Sequence, residues 1–155
     1  MGEKLKQRLK QDKFTGIEQE ALLNLFLANN FIKKKMDDVC QSFGITSAQY
    51  NVLRILRGAH PEGYPRCDII TRMIDQAPDV TRIIDNLEKQ DLILRENSPD
   101  DRRLSITKIS KKGLNLIENM QQEVDSLNKY FRDSLSEAEI IQLSAICEKI
   151  YPLGK

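Results

Sequence analysis

Between Arg102 and Lys112 stand five bases (Arg102, Arg103, Lys108, Lys111 and Lys112) and no acid. Side chains of this kind, gathered in one short stretch, neutralise a polyanion such as a phosphate backbone. The net charge of the whole chain is only +1, so any such binding surface is local. The same stretch begins with NSPDDRR, a run of turn-forming residues in which Asp101 lies two residues before Arg103. A carboxylate at that separation can hold the flexible guanidinium in one rotamer and reduce the entropy lost on binding. A loop of ordinary solvated charges is the simpler reading of the segment taken alone.

Other chemistry is hard to assemble. His60 is the only histidine, which excludes a His-rich metal site. No Gly-rich phosphate loop, G-x-S-x-G elbow or H-E-x-x-H occurs. Cys40, Cys67 and Cys147 have no C-x-x-C spacing and are expected to be reduced and packed. Arg66 and a helix N-terminus could activate Cys67, but a packed, inert thiol is the expectation there too. An enzyme is therefore not expected, nor a cofactor. The 155 residues are 40% hydrophobic and 30% charged, as in an ordinary globular domain. No apolar run approaches the roughly 20 residues that span a bilayer, and MGEKLKQRLKQDK lacks the apolar core of a secretory signal. We expect a single cytosolic domain over 1–155 with no membrane partner.

The elements that position the charged stretch follow from capping and periodicity. Three S/T-x-x-E/Q signatures, Thr15 to Glu18, Thr46 to Gln49 and Ser136 to Glu139, each predict a helix start. The first opens a long helix ending near Gly44, and the second a helix that Gly58 can end. After the breaker-rich GAHPEGYP come two short helices, Arg66 to Ile74 and Asp79 to Gln90, separated by DQAP with Pro78 opening the second. Leu92 to Glu96 and Leu104 to Ile109 read as an antiparallel hairpin. Ser110 opens another long helix, and a last helix ends before Pro152. The pattern is mainly α with a small β-hairpin: a winged helix-turn-helix over 44–110, flanked by helices at 1–43 and 111–155. Those flanking helices carry more apolar surface than so small a centre can cover, which suggests packing on a second copy.

On the second short helix Val80, Ile83, Ile84 and Leu87 follow i, i+3, i+4, i+7 and must face the core. The opposite side presents Pro78, Arg82, Asp85 and Lys89, flanked by Thr81 and Asn86 and with Asp79 at its start, and a major-groove helix reads base edges and phosphates with such groups. In isolation this helix reads more simply as a solvated surface with Arg82 paired to Asp85 at i+3. The hairpin directly after it tips the balance, because a wing in that position reaches the flanking minor groove, where negative potential favours arginine.

DVTRIIDNLEKQDLILRENSPDDRRLSITKIS, Asp79 to Ser110, resembles the recognition helix and wing of MarR-type transcriptional regulators. The wing motif Asp-x-Arg falls on Asp101 and Arg103, and the helical order on both sides matches over nearly the whole chain. The resemblance implies a homodimer held by its end helices on a pseudo-palindromic double-stranded DNA operator, usually as a repressor. It also implies release, in many members, by a small aromatic or phenolic ligand bound between the end helices and the winged region. Asp79 to Lys89 would be the recognition helix, Arg103 the minor-groove arginine with Asp101 as its support, and Arg102 a phosphate contact. Three departures stand out. Asp91 replaces a common Gly; Ser105 and Thr107 replace apolar residues, so the second wing strand is expected to pack loosely; and Phe14 to Glu20 lacks the cysteine of the redox-sensing subgroup. The alternative function is a winged-helix module docking an acidic protein, favoured by Asp79 and Asp85 near the reading face.

Overall fold

The computed structural model describes residues 2–75, 79–97 and 104–152. Its elements run α1 (Glu3–Leu9), α2 (Ile17–Ser42), α3 (Ser47–Gly58), β1 (Tyr64–Pro65), α4 (Arg66–Arg72), α5 (Val80–Lys89), β2 (Ile93–Asn97), β3 (Ser105–Ile109), α6 (Lys111–Ser134) and α7 (Glu137–Glu148). The winged helix-turn-helix pattern and the long flanking helices are as expected.

The fold is organised on α3. Thr46 starts it with a complete capping box: its hydroxyl accepts from Gln49 N–H while the Gln49 amide accepts from Thr46 N–H. Val52, Leu53 and Leu56 are fully buried and meet Ile69, Ile84, Leu87, Ile109, Ile117 and Met120 in one cluster. Each such side chain contributes about 1.5–3 kcal/mol over its exposed state. Helix α3 thus touches α2, α4, α5, α6 and β3, so the winged half and the long helices share one core.

The second and third expected boxes hold, with Ser136 and Glu139 capping α7 reciprocally. Those hydrogen bonds to Ser136 lower the Glu139 pKa, so this cap weakens as pH falls through the carboxylate range. The box expected at Thr15 does not form. Gly16 occupies the N-cap of α2, and the Gln19 amide, rather than Glu18, reaches back to Thr15 N–H at 2.6 Å. Helix α1 was not expected from its charged sequence, yet Leu5 is buried to 2% exposure. Helix α4 stops at Arg72, where Met73 turns extended and leaves Ile74 80% exposed instead of on an apolar helix face.

The hairpin gains a third strand, β1, from the breaker-rich loop, giving the antiparallel order β1-β3-β2. Pro65 is tolerated because it lies on an edge strand, where a missing N–H costs little. Thr107 pairs with Tyr64 on one side and Arg95 on the other and is 3% exposed. The strand expected to pack loosely is therefore tightly held at Thr107, while Ser105 near its free end is exposed.

A seam fastens this wing to α6. Asp91 adopts φ 59, the left-handed turn that an acid tolerates less easily than Gly. Ser110 donates to Asp91 O at 2.7 Å while accepting from Gly113 N–H at 3.0 Å, and Lys112 donates to Gln90 O at 2.7 Å. Gly113 is required by contact: a Cβ there would lie 2.2 Å from Leu92 O and 2.9 Å from Ile109 Cγ1. Gly113→Ala is expected to cost about 1–3 kcal/mol through overpacking, read as a melting temperature several degrees lower. An unchanged melting curve would contradict this account of the seam.

Candidate nucleic-acid interface

Helix α5 begins at Asp79, whose carboxylate accepts from Arg82 N–H at 2.9 Å. Asp79 is thus an N-cap, and its charge is used on the helix's own backbone rather than presented on the reading side. Pro78, expected as the first helical residue, lies outside the described residues. Val80, Ile84 and Leu87 anchor the helix in the core, and Ile83 packs against that core half-buried. The opposite side exposes Thr81, Arg82, Asn86 and Lys89. Ten residues make a helix roughly 15 Å long, a length that a B-DNA major groove accepts.

The side chains of Arg82, Asn86 and Lys89 pair with no other described residue, so their donors face solvent. Thr81 is different, since its hydroxyl accepts from Arg66 Nη1 at 3.0 Å across the α4–α5 junction. The pairing read for Arg82 with Asp85 is not made. Asp85 instead accepts from Arg95 Nη2, and Glu88 lies 3.4 Å from Arg95 Nη1. Sequence reasoning missed Arg95, which comes from the first wing strand; its signal was a base at a strand position beside two acids one turn apart.

Behind α5, the Arg72 guanidinium stacks 4.2 Å from the centre of the Tyr64 ring and so ties α4 to β1. A cleft of about 400 Å³ opens between α4, α5 and the sheet, lined by Arg66, Cys67, Thr81, Arg95, Leu104 and Ser105. Cys67 is exposed there, against the expectation of a packed thiol, and only Cys40 is fully buried. Burial, assisted by the Asp37 charge, pushes the Cys40 thiol up to about 11, so it remains protonated at neutral pH. Asp101, Arg102 and Arg103 lie outside the described residues, between β2 and β3. Among the described residues no cluster of three or more His, Cys, Asp or Glu could hold a metal ion, and no helix is long and apolar enough to cross a membrane.

Beyond the winged region, α7 has no fully buried residue and packs chiefly on α6. Ile141, Ile146 and Ile150 are 63%, 46% and 59% exposed, and Ile17, Leu22 and Phe26 at the start of α2 are 68%, 50% and 54% exposed. A second cavity of about 530 Å³ lies among α1, α2, α6 and α7, lined by Leu27, Phe31, Ile32, Tyr130 and Phe131, with Lys4 and Arg8 among the residues around it.

The MarR family sequence model matches residues 45–105, the span from the start of α3 to the start of β3. A crystal structure of a MarR transcription factor from Planctomyces limnophilus is 32% identical and covers 88% of this chain and 98% of its own, with a TM-score of 0.67. The chain belongs to the MarR family. It is accordingly a DNA-binding transcriptional regulator of the winged-helix type. The MepR–DNA complex of S. aureus is similar at 25% identity and a TM-score of 0.75, covering 89% of this chain and 97% of that one. The transcriptional regulator MhqR of Bacillus subtilis is 25% identical over 139 residues, 84% of this chain and 92% of its own.

Proposed function

We propose that two copies of this chain bind a pseudo-palindromic operator and repress transcription. Each copy inserts α5 into a major groove, with Thr81, Arg82, Asn86 and Lys89 at bases and phosphates. The wing residues 98–103 extend toward the flanking minor groove, with Arg103 inserted, Asp101 steadying it and Arg102 on a phosphate. The observation that carries the reading is the outward side of α5: among the described residues the donors of Arg82, Asn86 and Lys89 have no partner, while the acids are occupied. That arrangement also weakens the alternative of a module docking an acidic protein, which rested on Asp79 and Asp85. Asp79 is spent on the helix cap and Asp85 on Arg95. The exposed apolar residues of α2 and α7 support the homodimer, because a monomer rarely leaves so much apolar surface uncovered. Release by a small aromatic or phenolic ligand is part of the proposal; the aromatic-lined cavity among α1, α2, α6 and α7 offers such a compound room.

A gel shift with sheared genomic DNA tests the reading cheaply. Binding is expected at low salt, with affinity falling about 10³–10⁵-fold between 50 and 200 mM salt if six to ten phosphates are contacted. Protein that is folded and dimeric yet binds no DNA would favour the acidic-partner module instead.

A further inference from the structure

Helix α5 carries two cations, Arg82 and Lys89, and two acids, Asp85 and Glu88, between its cap and its end. Such a helix is electrically neutral, a poor starting point for approach to phosphates. Arg95 changes the balance. It projects from β2, where it pairs with Thr107 across the hairpin, and its two terminal nitrogens divide between Asp85 and Glu88. The two carboxylates are one helical turn apart on the side of α5 that faces the wing, so a single planar fork can serve both. These groups are partly exposed, at 32% for Arg95, 44% for Asp85 and 42% for Glu88, so the contacts add little to global stability. Their consequence is geometric and electrostatic.

We infer that Arg95 is a positioning residue for DNA binding, one that fixes the wing strand to the reading helix and masks that helix's two acids without itself touching DNA. Arg95 lies in β2, which ends at Asn97 and pairs along its length with β3. A clamp at Arg95 therefore fixes the β2–β3 strand pair against α5, and a wing and a reading helix must keep a spacing that matches a major groove and its neighbouring minor groove. Loss of the clamp releases that spacing and leaves two uncompensated carboxylates beside phosphates. Lysine cannot replace it, since one ammonium on a flexible stem does not span two carboxylates with fixed geometry.

The inference rests on α5 being the reading helix, and the experiment separates the two. Operator affinity and its salt dependence are measured for the full-length wild type, Arg82→Ala, Arg95→Ala, Arg95→Lys, the pair Asp85→Asn/Glu88→Gln, and that pair combined with Arg95→Ala. Arg95→Ala is expected to weaken binding about 10-fold, as for interactions within one coupled network. Arg95→Lys should recover only part of that loss. The decisive sign is that neutralising the two acids strengthens binding in the Arg95→Ala background but not in the wild type, where it also frees the clamp. A purely structural role would shift thermal stability without that reversal. A direct phosphate contact would lower the salt slope by about one unit and give no reversal. Either result overturns the inference, as does unchanged affinity of Arg95→Ala alongside a weakened Arg82→Ala. If Arg82→Ala also binds normally, the assignment of α5 itself fails. Should Arg95→Ala not fold, Arg95→Lys compared with and without the acid pair gives the same reversal test.

Discussion

Aspartates at Ile146 and Ile150 should convert the protein into a folded monomer that has lost most of its operator affinity. Ile146 lies in the last turn of α7 and Ile150 in the turn that follows it, at 46% and 59% exposure, and α7 has no fully buried residue. Charges there leave the core around α3 untouched, so the single-chain fold should survive with little change in helical signal. In a dimer the same positions would be desolvated, and two carboxylates from each copy would face apolar surface without partners. Under the proposed function operator binding depends on the dimer, because two linked reading helices would engage two half-sites together. Losing that linkage removes about 10²–10⁴-fold in affinity without altering any single DNA contact. Sedimentation velocity and an anisotropy titration on the same samples read both effects. A variant that remains dimeric would show that another surface holds the copies together.

The second large effect belongs to the wing. Arg103→Ala is expected to weaken specific binding about 10- to 100-fold, corresponding to one inserted arginine contributing roughly 1–3 kcal/mol. The loss should be greatest on sites whose flanks are A·T-rich, where the minor groove is narrow and its potential most negative. Arg102→Ala should behave differently, weakening all sequences alike and reducing the salt slope by about one unit. Neither change removes a member of the described core cluster, so the melting temperature should not alter appreciably. Unchanged binding by Arg103→Ala would remove the wing from the interface and leave α5 as the sole reader.

Much of this molecule was legible in its sequence because local chemistry and global packing agree. Thr46 with Gln49 and Ser136 with Glu139 form reciprocal caps, and such caps depend on residues only three apart. The apolar positions of α5 fall on one side because a short helix on a core has one buried stripe. What escaped depended on partners distant in sequence. Helix α1 reads as a charged tail until Leu5 finds its place against the long helices, and β1 reads as a loop until β3 supplies its pairing partner. Thr107 looked too polar for a tight strand, yet it is enclosed by strands on both sides. In the candidate site, Arg82, Asn86 and Lys89 could be placed from periodicity alone. The roles of Asp79 and Asp85 could not, since a cap and a cross-element ion pair are decided by geometry. Arg95 was invisible for the same reason.

The central claim is that two copies of this chain read DNA in a sequence-specific, symmetric manner through α5 and the wing. Selection of bound duplexes from a random pool at physiological salt tests it most directly. The account predicts enrichment of an inverted repeat whose half-sites are centred about one helical turn, or 10–10.5 base pairs, apart, with protection extending into the minor grooves on either flank. A pool that shows no enrichment, or converges on a single asymmetric site bound by one copy, would contradict it.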